Sequence, residues 1–191
     1  MEHTAYIRQY LLETKEIADT INQDDILRVV EILSAVRTKD GRLFILGVGG
    51  SAANASHAVN DFRKIAGIEA YAPTDNVSEL TARTNDEGFD TTFSKWLETS
   101  KLKEDDALLV LSVGGGSETL SLNIKSAVDL AVERKAKITA IVSRDGGYTK
   151  KYADACVLVP VVEQMRVTPH AEGWQGIIWH LVANAIANSL Q

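Results

Sequence analysis

The chain has 191 residues, 45% of them hydrophobic and 24% charged, enough to bury a full core in one large soluble domain. A formal net charge of −6 opposes non-specific binding to nucleic acid or to an anionic membrane surface, so an anionic ligand must be held by local donors. No apolar run approaches the roughly 20 residues that cross a bilayer. The start, Met1-Glu2-His3-Thr4, lacks the basic and apolar regions of a signal peptide, and Cys156 is the sole cysteine; a cytoplasmic protein without an intrachain disulfide is expected.

From Thr4 to about Val36 the pattern is helical. Ile7, Tyr10, Leu11, Thr14, Ile17, Ala18 and Ile21 recur at three- and four-residue steps. Asn22-Gln23-Asp24-Asp25 interrupts the run, and Ile26, Val29, Val30, Leu33 and Val36 resume it. Two helices therefore precede the first strand, with apolar faces that need the sheet or another subunit to cover them. Arg42–Leu46 reads as a strand running into Gly47-Val48-Gly49-Gly50-Ser51, and a helix over 51–65 follows, with Ser51 suited to its N-cap. A short strand over 69–72 ends in Pro73-Thr74-Asp75-Asn76. A helical segment over 77–83 leads to a turn cluster at Thr84–Gly88, and another helix over 90–100 follows.

Ala107–Leu111 is the third strand and runs into Ser112-Val113-Gly114-Gly115-Gly116-Ser117, with a helix expected over 117–135. Ile138–Val142 is the fourth strand, followed by Ser143-Arg144-Asp145-Gly146-Gly147; Cys156–Val159 is the fifth. The last helix opens at Thr168-Pro169, with proline at its first position, and runs to about Asn188. Strands alternate with helices, so the fold is α/β: a five-stranded parallel sheet flanked by helices in a flavodoxin-like three-layer arrangement, with two N-terminal helices added. No internal repeat or domain boundary interrupts residues 1–191.

Glycine-rich turns at three strand ends collect on one edge of such a sheet, where ligands bind. Glycine admits close backbone approach, serine donates, and a helix N-terminus adds positive potential. The first loop only loosely fits a dinucleotide fingerprint, and no Gly-Lys-Ser/Thr of a Walker loop is present. A monophosphate ester fits best, although glycines that merely permit tight turns are the plain alternative.

His57 and Asp61, four residues apart, share one helix face, as do Glu172 and His180, eight apart on the last helix. Two imidazoles and two carboxylates suit a divalent metal such as zinc, or equally a general acid and base. His170, just inside the last helix, is a further candidate; the structural alternatives are His57 as a helix-surface histidine, Asp61 paired with Arg63 or Lys64, His180 in the core beside Trp179, and His170 as an exposed cap residue.

On these motifs the chain resembles the sugar isomerase (SIS) domain family, most closely its phosphoheptose isomerase branch. The resemblance implies a homotetramer with residues 1–37 in subunit packing, conversion of sedoheptulose 7-phosphate to a heptose 7-phosphate through an enediol, and zinc in some members. It places Val48, Gly49, Gly50, Ser51, Asn85, Asp86, Ser112, Val113, Gly114 and Ser117 at the substrate. It puts His57, Asp61, Glu172 and His180 at metal and catalytic positions, with Asp61 or Glu172 as base and His180 as acid. The chain departs from the family pattern in carrying Val48 for asparagine, Val113, Gly114 and Gly116 for threonine, serine and asparagine, Asp61 for glutamate and Glu172 for glutamine. The stretch Ser51–Ala55 with His57 also resembles a non-catalytic SIS protein that associates with the replication initiator, and altered loops would suit an isomerase of another sugar phosphate.

Overall fold

The computed structural model describes residues 2–188, so Met1 and 189–191, the ends of the expected single domain, lie outside the described residues. In chain order the elements are α1 (His3–Thr20), α2 (Gln23–Thr38), β1 (Arg42–Leu46), α3 (Gly50–Lys64), β2 (Glu69–Tyr71) and α4 (Val77–Glu87). Then come α5 (Thr92–Thr99), β3 (Ala107–Leu111), α6 (Leu122–Arg134), β4 (Lys137–Ser143), α7 (Gly147–Tyr152), β5 (Ala155–Val159) and α8 (Val167–Asn188). The expected five strands form one parallel sheet in the order β2-β1-β3-β4-β5.

Alternation along the strands builds two cores, because successive side chains of a strand point to opposite faces. Leu43 and Ile45 of β1 and Leu109 and Leu111 of β3 face α2, α3 and α8. Phe44 and Leu46, with Leu108 and Val110, face α5 and α6. At the opposite edge from the glycine loops, buried Asp106 fixes β1 against β3: it accepts the Arg42 amide at 2.9 Å and Nη2 at 2.7 Å, and the Lys103 amide at 3.0 Å. The order reverses between β1 and β3, so the loops after these two strands flank the crevice where ligands bind in open α/β sheets.

Several local expectations are corrected. Gly49, at φ +65°, takes the position before α3, and Ser51 is the helix's second residue. The Thr84–Gly88 turn is absent because α4 continues to Glu87 and stops at Gly88, φ +84°. Ser117 lies outside α6: its hydroxyl accepts the amides of Thr119 and Leu120 at 3.2 and 2.9 Å, which holds a turn and delays the helix to Leu122. Pro169 is the third residue of α8, a position whose amide has no intrahelical partner in any case. His170 is buried rather than an exposed cap residue. No helix among the described residues is long and apolar enough to cross a membrane.

Candidate functional site

Two of the three glycine loops hold each other. The Thr149 amide and hydroxyl donate to the Gly115 carbonyl at 2.9 and 2.7 Å, and the Tyr148 amide donates to that of Gly116 at 2.8 Å. A Cβ at Gly115 would strike the Gly146 carbonyl, and one at Gly147 would strike the carbonyls of Gly114 and Gly116. The glycines of the turn after β4 thus serve close backbone packing, the plainer of the two readings open in the sequence. Helix α7 follows from this clasp. It is anchored further by the Tyr148 hydroxyl, which donates to Asp129 at 2.6 Å and whose pKa that contact raises, and by Lys125 over the Tyr148 ring.

The clasp frames a cavity of about 370 Å³ at the carboxyl edge of the sheet. Ser112, Val113, Gly114 and Ser117, read in the sequence as a phosphate loop, line it together with Thr168 from the first turn of α8. Ser112 is buried, and its Oγ accepts the Gly115 amide at 3.1 Å, which leaves the hydroxyl proton free to donate.

Val48, Gly49, Gly50 and Ser51 lie elsewhere on the rim, at the start of α3. Helices α3 and α8 run side by side in the same direction. At their amino ends Gly50 is pressed against the Glu172 carboxylate, which any side chain at position 50 would strike. One turn further, Asn54 Nδ2 donates to the Glu172 carbonyl at 2.9 Å and to Gln175 Oε1 at 3.1 Å. The Glu172 carboxylate makes no hydrogen bond or ion pair among the described residues, and it faces the favourable, positive end of α3.

At the far end of this seam His180 Nδ1 lies 3.0 Å from Asp61 Oδ2. Asp61 is buried and takes Asn60 Nδ2 on its other oxygen at 2.8 Å, not Arg63 or Lys64. His180 is 46% exposed, so it is not a core residue, although its ring centroid is 3.6 Å from that of Trp179. The His57 ring stands edge-on to His180 at 5.2 Å and to Trp179 at 4.7 Å. Ligand atoms of His57, Asp61 and His180 all lie within 4.8 Å of one another. Two imidazoles and one carboxylate at that spacing fit zinc in the three-ligand pattern that leaves a position open. Glu172 does not belong to this trio.

Asn85 and Asp86 sit on exposed turns of α4 and bond each other, Asn85 Nδ2 to Asp86 Oδ1 at 2.8 Å; they do not line the 370 Å³ cavity. What sequence reasoning missed is Asn54, which fixes the seam, and the partners of His170. His170 Nε2 meets Glu13 Oε2 at 2.8 Å, and Arg166 Nε reaches the same oxygen at 2.8 Å. The only sequence signals are a glutamate on the apolar side of α1 and a histidine in the first turn of α8, too distant along the chain to be matched.

The SIS domain family matches residues 5–143 of the chain. The phosphoheptose isomerase of Sulfurimonas denitrificans is 30% identical, over 97% of this chain and 95% of that protein. The phosphoheptose isomerase of Pelobacter propionicus is 31% identical over 84% and 82%. Among solved structures, phosphoheptose isomerase from Neisseria gonorrhoeae superposes with a TM-score of 0.82 at 28% identity, covering 97% of this chain and 96% of that one.

Proposed function

The chain belongs to the SIS domain family, and from that premise we propose that it is an aldose–ketose isomerase of sugar phosphates, converting sedoheptulose 7-phosphate to D-glycero-D-manno-heptose 7-phosphate. The names of its relatives support the reaction class. The observation that carries the reading is a stripe on α8: Thr168 at the serine–glycine cavity, Glu172 against Gly50, and His180 on Asp61. These residues recur at four- and eight-residue steps on one helix face, and Glu172 to His180 spans about 12 Å. Within one copy that distance keeps the two side chains from reaching the same carbonyl, so in this reading the site lies between copies of the homotetramer, with Glu172 of one copy and His180 of another flanking the sugar's carbonyl end.

In this reading Ser112, Ser117 and the loop amides hold the phosphoryl group, and Val48–Ser51 border the chain of the sugar. Glu172, free of protein partners, takes the proton from the carbon beside the carbonyl. His180 of the neighbouring copy, oriented by its Asp61, gives a proton to the carbonyl oxygen, and a cis-enediol results. Glu172 then returns its proton to the adjacent carbon while His180 takes one from the remaining hydroxyl, which completes the aldose. Of the two carboxylates open in the sequence, Asp61 is the one already committed to His180 and Asn60, so it positions the imidazole. His57, Asp61 and His180 are the residues that would hold zinc, which when bound would supply Lewis-acid polarisation of the carbonyl in place of the His180 proton.

The same reading takes residues 1–191 as one SIS domain working as a homotetramer. Exposed Leu11, Leu12, Leu27, Ile177 and Leu181 support packing between copies through α1, α2 and α8. The test is turnover of sedoheptulose 7-phosphate with and without zinc, alongside exchange of the substrate's C–H proton in deuterated water. Absence of both turnover and exchange in either condition overturns the proposal.

A further inference from the structure

We propose that Arg144 is a phosphate-binding residue, its guanidinium closing the serine–glycine cavity over the phosphoryl group of the ligand. This extends the sugar-phosphate reading to a residue on a different loop, the turn after β4, and rests on that reading for the identity of the ligand.

The cavity is lined by Ser112, Gly114, Ser117, Ser121, Arg144 and Thr168, among others. Arg144 is the one cation among its lining residues. Asp145 is the one carboxylate, and its Oδ1 is occupied by the Gly147 amide at 3.0 Å, within its own turn. The guanidinium is exposed and makes no hydrogen bond or ion pair among the described residues. Other arginines are committed: Arg42 to Asp106, Arg83 to Glu79 and Arg166 to Glu13. An arginine at the ligand edge of a sheet with all its donors unspent is available to an anion.

Backbone conformation points the same way. Arg144 has φ +55° and Ser121 has φ +53°, in the left-handed region that side chains larger than glycine rarely enter. Both line this cavity. The clasp that docks Gly114–Gly116 on Gly146–Thr149 holds the turn bearing Arg144 in place, so strain is maintained where the cavity needs the side chain.

The chemistry of the loop gives the guanidinium its task. Val113, Gly114 and Gly116 offer no side-chain donors, which leaves the hydroxyls of Ser112, Ser117, Ser121 and Thr168, the loop amides and the amino end of α8 for a dianion. None of these carries a full charge. A guanidinium presents paired N–H donors with the spacing of phosphate oxygens and adds the missing charge, where a loop richer in hydroxyls would not need it.

The experiment measures binding of inorganic phosphate by calorimetry to the wild-type chain, Arg144→Asn and Arg144→Lys, with KM and kcat for sedoheptulose 7-phosphate on the same proteins. Asparagine tolerates left-handed φ, so an unchanged melting temperature in Arg144→Asn shows that the fold is intact. Arg144→Asn is expected to weaken phosphate binding and raise KM by about tenfold or more, with kcat little changed, and Arg144→Lys to recover part of the loss. Equal phosphate affinity in wild type and Arg144→Asn, or no phosphate binding by wild type, overturns the assignment. Turnover by wild type with unaltered KM in Arg144→Asn overturns it while leaving the isomerase reading in place. Phosphate affinity lost in Arg144→Asn without any wild-type turnover supports Arg144 and removes that reading instead.

Discussion

The imidazole of His180 on α8 is held 3.0 Å from the carboxylate of Asp61 on α3, and this pair separates the roles of the two acidic residues in the seam. Asp61 has both oxygens engaged and is buried, so it orients the His180 imidazole. In the proposed reaction Glu172 keeps its carboxylate for substrate. Glu172→Gln should lower kcat by about 10²–10⁴-fold with KM little altered. Asp61→Asn should also act on kcat, by about a hundredfold, because the amide keeps the shape but not the charge that faces His180. Steady-state kinetics on the ketose phosphate checks both. Full activity in Glu172→Gln would transfer the base role back to Asp61.

Zinc binding is expected to show in stability independently of turnover. Titrated to about a hundredfold over its Kd, zinc should raise Tm by roughly 5–10 °C for a chain of this length. His57→Ala removes one imidazole of the trio and should abolish most of that rise, while Glu172→Gln should leave it largely intact. A zinc-induced shift that survives His57→Ala would place the ion elsewhere.

How much of this was legible follows from the range of each interaction. Ala107–Leu111 and Arg42–Leu46 announce themselves as buried parallel strands, because their apolar runs lead into glycine-rich turns. His57 with Asp61, and Glu172 with His180, are set by helical spacing, so each pair could be placed on a face. Which carboxylate meets which imidazole is decided by the parallel packing of α3 on α8, and no spacing encodes that. Helix α7 has only six residues and no apolar period; it exists because Gly115 and Gly116 accept its first amides. Ser117 reads as a helix start, yet its hydroxyl serves the turn before the helix, a choice between two local hydrogen-bond patterns that the residue type leaves open.

Glycine substitutions should separate by sign. Gly147→Ala combines φ +54° with a Cβ driven into the carbonyls of Gly114 and Gly116, and should cost at least about 2 kcal/mol. Gly173 lies in α8 with a negative φ, and a methyl group added there would meet no atom within 4 Å. Gly173→Ala should stabilise by about 0.5–1 kcal/mol through helix propensity. Urea unfolding of the two variants tests the pair, and equal effects would mean that the loop clasp is not tight in solution.

Acid stability should depend on Glu13. The Arg166 guanidinium is the main cause that holds this buried carboxyl down at about 2 against an ordinary 4.5; burial opposes it, and the contacts with His170 and Gln9 add to it. Between those two values the unfolded chain binds a proton that the folded chain does not. Stability from this group is therefore complete above about pH 4.5 and is lost as pH falls toward 2. Glu13→Gln should flatten that acid limb and cost about 3 kcal/mol at neutral pH, because it leaves Arg166 without its buried partner. Urea unfolding from pH 3 to pH 7 reads both effects, and an unchanged acid slope in the variant would assign the limb to other carboxylates. The contact ties α1 to the first turn of α8, one turn from Thr168 and Glu172. Loosening it should raise KM for the sugar phosphate as well as lower stability, because the amino end of α8 is where the proposed phosphate cavity and the proposed base are both anchored.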